Sequence, residues 1–430
     1  MKKMKKVKFG VLGGYRGNVM ARFCLLCENA EVVAICDNNP DVLNAQKEAN
    51  KDSNIAFYDD FDEFIKHDMD GVVLANFANK HAEFAIKAMK AGKHVYSEVL
   101  PVQTMKEAVE LVEAVEQTGK IYAYGEQYCY MPAPYEMKRL YKEGKIGEIE
   151  YAECEYVHNC ESIWPTIAYG NKDHWRNNLY STFYCTHSLG PIIHATGLRP
   201  VKVTGFEPPQ NERCFRMGQK GAAFGMEIVT LENGAIVKSL HGGLYKDNTW
   251  FSIYGSKGAL ESARYITDCN DIMRLYTDVD EYPGGCDTAV KTNTLPNEKY
   301  GDRINTFGHG GSDYFSMLNF IEKIRGNQNA DIIDVYEALD MFLPGHFAYR
   351  SILNGGKSMD IPNLRNKNER EIWRNDVACT DPLVAGDSLW PCNKNGNPII
   401  DEDVYNHQRE LYEKAKTDKN SHFGKALLKQ

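Results

Sequence analysis

No apolar run in this 430-residue chain is long enough to span a bilayer, so a membrane-embedded class is set aside. Basic clusters are missing beyond the first six residues and the net charge is −9, so nucleic acid is not an expected partner. The 12 cysteines follow no disulfide-like framework, which suits a reducing cytoplasm, the expected location. Cys24 and Cys27 form a C-x-x-C inside the first helix, but no second pair accompanies them, and core packing is the reading there. No set of side chains has convincing metal-ligand spacing, so no metal is expected. Met1-Lys-Lys-Met-Lys-Lys6 resembles a signal n-region, yet the apolar run after it breaks at Gly13-Gly14, which argues against secretion. Internal repeats are also missing. With 43% hydrophobic and 25% charged residues the chain is globular, and its length allows two or three domains.

What the chain does have is a βαβ unit over residues 7–37. Val7–Leu12 reads as a short buried strand, and Gly13-Gly14-Tyr15-Arg16-Gly17 as a turn opening a helix. Val32–Cys36 is a second strand with Asp37 at its end. Glycines let a backbone approach a pyrophosphate, and helix N–H groups hold it. The acid accepts both ribose hydroxyls, and no Arg or Lys follows it in Asn38-Asn39-Pro40, so the cofactor reads as NAD rather than NADP. The glycine spacing is G-G-x-x-G, one residue short of the usual fingerprint.

Alternation of strands and helices continues to about residue 124, including a capping box at Thr104 and Glu107. Apolar strands separated by helices imply a parallel sheet covered on both faces. Ligands of such sheets sit beyond the carboxyl ends of the strands. Asn76, Phe77, His81, Glu98 and Gln127 therefore join the glycine turn and Asp37 as candidate cofactor contacts. From about Gly147 the period changes to that of a mostly antiparallel sheet, with an Asn233-Gly234 hairpin turn and helices near 312–325 and 334–353. The expected fold class is α/β: a Rossmann domain over 1–128, an α+β domain over 129–363, and an extension over 364–430 packing on the body or on a partner subunit. An antiparallel sheet with one face to cover also predicts a homo-oligomer.

Ala91-Gly-Lys-His-Val-Tyr-Ser-Glu98 and Ile253-Tyr-Gly-Ser-Lys-Gly-Ala-Leu-Glu261 resemble motifs of the Gfo/Idh/MocA oxidoreductase family over roughly residues 5–362. Dehydrogenases of that family carry Glu-Lys-Pro after the fifth strand and an Asp four residues before a catalytic His. Here Val99 stands in the lysine position, and Phe183 stands four residues before His187. Within the family the chain is similar to the NAD-dependent glycosidases of glycoside hydrolase family 109. The similarity rests on Glu98-Val99, Glu126-Gln-Tyr-Cys-Tyr130, His174-Trp175-Arg176, Tyr184-x-x-His187-x-x-Gly190-Pro191 and His309-Gly310-Gly311-x-Asp313.

This resemblance implies a glycoside substrate and NAD used as a temporary electron store. Carbon 3 of the sugar is oxidised, the proton on carbon 2 is removed, the aglycone leaves carbon 1, water adds, and carbon 3 is reduced again. Such chemistry needs a base at the 3-hydroxyl, and His187 is the candidate, with a buried structural histidine as the alternative. Tyr130 and Tyr184 are candidates for the base at carbon 2, and equally for stacking on the sugar. Glu98 would hydrogen-bond sugar hydroxyls or orient the nicotinamide. Trp175, Arg176 and His309 are the candidate substrate contacts. Two other functions stay open: a sugar dehydrogenase that releases NADH, and a non-catalytic NAD- or sugar-binding regulator.

Overall fold

The structure is a computed structural model that describes residues 6–23, 27–264, 273–279, 282–286 and 307–427. Cys24 and the first five residues lie outside that set.

Six strands form the first sheet: β1 (Val7–Leu12), β2 (Ala30–Cys36), β3 (Ala56–Tyr58), β4 (Gly71–Leu74), β5 (His94–Glu98) and β6 (Tyr122–Gly125). Their order is β3-β2-β1-β4-β5-β6, and every pairing is parallel. The central strands are buried on both faces, as their unbroken apolar runs require: Phe9, Val11, Val72, Val73, Val95 and Tyr96 are all inaccessible to solvent. The order reverses between β1 and β4, so a crevice opens beyond their carboxyl ends. Thr104 and Glu107 form the expected reciprocal cap, at 3.2 Å in both directions.

Nine strands form the second sheet: β7 (Ile149–Val157), β8 (Pro200–Phe206), β9 (Phe224–Leu231), β10 (Ile236–Gly242), β11 (Asn248–Gly255), β12 (Gly258–Ser262), β13 (Met273–Val279), β14 (Tyr282–Cys286) and β15 (Met359–Asp360). Only the β7–β10 pairing is parallel. Burial alternates along β9 and β10, the signature of a sheet with one covered face. That face packs on the helices Thr186–Thr196 and Val335–Leu353. The Asn233-Gly234 turn joins β9 to β10 with Gly234 at φ 90°.

A helix at Pro132–Lys142 is not anticipated by the sequence reading. Its Pro132 and Pro134 look like breakers, yet they fall in the first turn, where N–H groups have no helical acceptor. Residues 364–427 run over both domains. Arg370 pairs with Glu116 at 2.8 Å, and Trp390 packs against Tyr180, His346 and Tyr349. Among the described residues no helix is long and apolar enough to cross a membrane, and no group of His, Cys, Asp and Glu is placed to hold a metal ion.

Candidate active site

A cavity of about 1010 Å³ lies between the carboxyl ends of the first sheet and the covered side of the second. Gly13, Tyr15, Arg16, Asp37, Asn76, Phe77, Glu98 and Gln127 line one half of it. Trp175, Arg176, Tyr184, His187 and His309 line the other. These thirteen predicted residues therefore come together.

In the first half, Gly13 has φ 95°, and a Cβ there would stand 2.4 Å from the Ala75 carbonyl oxygen. The turn can pass over β4 only as glycine. Asp37 is buried, and its two carboxylate oxygens accept the Gly14 N–H at 2.7 Å and the Asn39 N–H at 2.8 Å. Each oxygen keeps a lone pair for a further donor. The Asn76 side-chain oxygen is buried with no hydrogen-bond partner. Asp59, Asp60 and Asp62 stand along the same wall. This half fits the ribose and amide groups of NAD, and its acids would repel the extra phosphate of NADP.

Burial raises the Asp37 carboxyl above its ordinary value, while the Asn39 and Gly14 N–H groups oppose the shift. Only the carboxylate can accept two ribose hydroxyls, so NAD affinity should be full above that raised pKa and fall as pH drops through it. Asp37→Asn is expected to weaken NAD binding by roughly 10–100-fold, the equivalent of one or two charge-assisted hydrogen bonds. Titration of the purified protein with NAD and NADP over a pH series checks both statements, and a wild type that prefers NADP overturns them.

The floor between the halves is a charge network. The Arg16 guanidinium donates to both oxygens of Asp313, at 2.8 and 3.0 Å, and pairs with Glu98 at 2.8 Å. His309 Nδ1 stands 3.0 Å from Asp313, and Gln127 donates to Glu98 at 2.8 Å. Burial pushes Asp313 up, but Arg16 and His309 overcome this and hold it below the usual carboxylate range. Burial raises Glu98 instead, against the pull of Arg16 and with the neighbouring Asp313 charge adding to the rise.

His187 sits in the first turn of the helix Thr186–Thr196 and is buried at the cavity wall. Its Nδ1 is 2.8 Å from Glu126 Oε1, a carboxylate inaccessible to solvent. Facing that carboxylate, a neutral imidazole carries its proton on Nδ1 and turns a free Nε2 lone pair outward. Tyr128, Tyr156 and Tyr184 surround the imidazole at ring separations of 4.8, 4.6 and 5.7 Å. Arg176 donates to the Tyr184 hydroxyl at 3.0 Å, and its guanidinium stands 4.6 Å from the centre of the Trp175 ring. Burial raises the Tyr184 phenol, and Arg176 opposes that rise. Tyr156 is raised well above its ordinary value by burial, with no cation to offset it.

Four predicted residues stand elsewhere. Gly14 and Gly17 shape the turn from behind: Gly14 holds Asp37, and Gly17 closes onto the Gly13 carbonyl at 3.0 Å. His81 is a correction to the expected cofactor contacts. Its ring nitrogens stand 2.9 and 3.2 Å from the carbonyls of Leu100 and Asn76, so it braces two strand-end loops from beneath. Tyr130 is a correction to the expected catalytic set. Its hydroxyl donates to the Asp331 carbonyl at 2.7 Å and its ring packs on His194, which turns it away from the cavity.

Two residues escape the sequence reading. Glu126 supplies the carboxylate that Phe183 cannot, from a loop 61 residues upstream of His187. The acid heading Glu126-Gln-Tyr-Cys-Tyr130 is the signal that marks it. Tyr156 lies on β7 with its ring against His187, and no motif points to it.

Residues 7–126 match the model of an oxidoreductase family with an NAD-binding Rossmann fold, and residues 291–369 match the glycosyl hydrolase 109 C-terminal domain. A glycosyl hydrolase family 109 protein 1 of Bacteroides fragilis is 31% identical over 411 residues, 84% of this chain and 86% of that protein. The chain belongs to glycosyl hydrolase family 109. A family member from Solibacter usitatus is 25% identical, over 83% of this chain and 88% of its own. Among solved structures, an NAD binding oxidoreductase from Klebsiella pneumoniae has TM-score 0.66 at 14% identity, covering 83% of this chain and 99% of that one. The scyllo-inositol dehydrogenase of Lactobacillus casei, solved with NAD(H), has TM-score 0.62 at 18% identity, covering 84% of this chain and all of that one. Both share the fold. The family 109 chain is thus an enzyme of Gfo/Idh/MocA type with NAD as its cofactor.

Proposed function

We propose that this NAD-dependent glycoside hydrolase cleaves its substrate by elimination, with His187 and Tyr184 as the two proton-handling groups. The observation that carries the reading is the His187–Glu126 pair, an imidazole at the cavity wall backed by a buried carboxylate. When bound, NAD oxidises carbon 3 of the sugar and later returns the same electron pair, so the net reaction is hydrolysis. With Val99 in place of a lysine, His187 Nε2 holds the proton of the 3-hydroxyl and gives it back at the end. Tyr184 acts as its phenolate, the form that the Arg176 guanidinium at its oxygen favours against burial: it takes the proton of carbon 2 once carbon 3 is a carbonyl and passes it to the departing aglycone oxygen. The carbon 1–oxygen bond then breaks, and the aglycone leaves with the electron pair. Water adds at carbon 1, and a proton returns to carbon 2. Trp175, Arg176 and His309 orient the sugar, while Glu98 and Gln127 face the cofactor half.

Hydrolysis in D₂O tests this. The released sugar should carry deuterium at carbon 2 and none at carbon 3, with no NADH accumulating. Protium retained at carbon 2 in a hydrolysed glycoside removes the mechanism. Stoichiometric NADH with an intact glycosidic bond would make the protein a sugar dehydrogenase.

We further propose a cytoplasmic homo-oligomer. The nine free cysteines among the described residues support the location. Phe206, Ile236 and Tyr254, exposed on the uncovered face of the second sheet, support the assembly. Light scattering at micromolar concentration should give a multiple of the chain mass, and a monomer would reject the assembly.

A further inference from the structure

The extension ends in two helices, Glu402–Thr417 and His422–Leu427. The first lies on the helices Trp164–Ile167 and Glu212–Met217 of the second domain. Two glycines make room for it. A Cβ at Gly170 would stand 2.6 Å from Arg409 Cα, and one at Gly218 would stand 2.6 Å from the Tyr405 ring. Both glycines have positive φ, so the chain is shaped to receive this helix. Tyr405 donates to the Gly218 carbonyl at 3.2 Å and Gln408 to the Arg216 carbonyl at 3.0 Å.

The second helix crosses to the first domain, where it meets the helix Pro40–Ala49 that follows Asp37. Tyr15, in the glycine turn, is hydrogen-bonded through its hydroxyl to His422 Nδ1. Its ring stacks on Phe423 with centroids 5.6 Å apart. Phe423 is 2% exposed and joins Val42 and Tyr412 in an apolar cluster separate from the main core. Lys416 reaches Asp41 at 2.8 Å. Tyr169, at φ 52°, sets its ring against both Tyr15 and Tyr412. His422 itself lines the cavity. The helix pair thus grips the glycine turn and the helix after Asp37, the two sides of the cofactor half.

We infer that these two helices are a clasp that closes the adenosine side of the cofactor site and slows the release of NAD. The inference deepens the proposed function, in which NAD is reused at each turnover and gains nothing by leaving. Opening that half of the cavity requires Tyr15 to part from His422 and Phe423. The contact is a small cluster, so loosening it leaves the main core intact.

The test uses the full chain loaded with radiolabelled NAD, chased with excess unlabelled NAD and sampled on desalting columns. Phe423→Ala should release NAD about 10-fold faster or more, from the lost stacking and burial of one ring. Lys416→Ala should accelerate release more modestly, and Phe423→Leu should stay near the wild-type rate. Wild-type release rates in both Phe423→Ala and Lys416→Ala overturn the clasp, including when apo stability falls, since that outcome marks a structural brace. A wild type that binds no NAD defeats the proposed function and the clasp together. A wild type that accumulates NADH defeats reuse alone, and faster release by Phe423→Ala would still establish the clasp.

Discussion

His187→Ala is expected to lower kcat by about 10²–10⁴-fold, the usual contribution of a positioned general acid–base group. NAD binding should be unchanged, because the residues proposed to hold the cofactor line the other half of the cavity. Glu126→Gln makes the sharper test. The carboxylate fixes the proton on Nδ1 at 2.8 Å. An amide in its place can donate to Nδ1 and drive the proton to Nε2, the nitrogen that must accept. The side chain keeps its shape and loses its instruction. We expect a fall in kcat of the same order as for His187→Ala with KM little changed, since Glu126 is buried behind the imidazole and does not line the cavity. Glu126→Asp should recover part of the rate, because it restores an acceptor at slightly longer reach. Wild-type kcat in His187→Ala would remove the histidine from the reaction. A normal kcat with raised KM in Glu126→Gln would make the pair a structural element of the sugar pocket.

The Rossmann half is legible from sequence because its rules are local. Val7–Leu12, the glycine turn and Asp37 fall within one βαβ unit, and buried strands announce themselves as apolar runs. The capping box at Thr104 is equally local. The His187–Glu126 pair is less legible because its partners are 61 residues apart and meet only when the helix Thr186–Thr196 packs against the turn Gln127–Tyr130 that Glu126 opens. The sequence shows a missing aspartate at Phe183 and cannot show that a glutamate enters from another element. Phe183 instead packs among Trp175, Tyr180, Tyr184 and Phe342. Tyr130 misleads for a related reason. It lies in a single 3₁₀ turn, Gln127–Tyr130, where one residue of phase decides which way a ring faces, and Gln127 of that turn lines the cavity while Tyr130 does not. The extension is hardest to read. Its last helix meets elements hundreds of residues earlier, and nothing in the periodicity of its helices names Tyr15 as a partner.

Arg16→Ala should destabilise the apo protein by about 3–5 kcal/mol, the cost of stripping a buried ion pair of one member. The guanidinium is the shared partner of two carboxylates. Asp313 is inaccessible to solvent and Glu98 nearly so, and both lose a contact at 2.8 Å. His309 remains beside Asp313, and Gln127 beside Glu98, so the loss stays below that of two bare charges. The pH dependence follows from the sign of each shift. Asp313 is depressed in the folded state, so its contribution is complete above its unfolded pKa and is lost as pH falls through the folded one. Without Arg16 the buried carboxylates prefer their acids, and protonation relieves them. The gap between wild type and Arg16→Ala should therefore be widest near neutral pH and narrow on acidification. Urea unfolding at several pH values measures it. Adding Asp313→Asn to Arg16→Ala should restore part of the lost stability, because the remaining partner no longer carries an uncompensated charge. Equal midpoints for wild type and Arg16→Ala at neutral pH would mean that solvent reaches the floor of the cavity and that the network holds the turn in place without stabilising the fold.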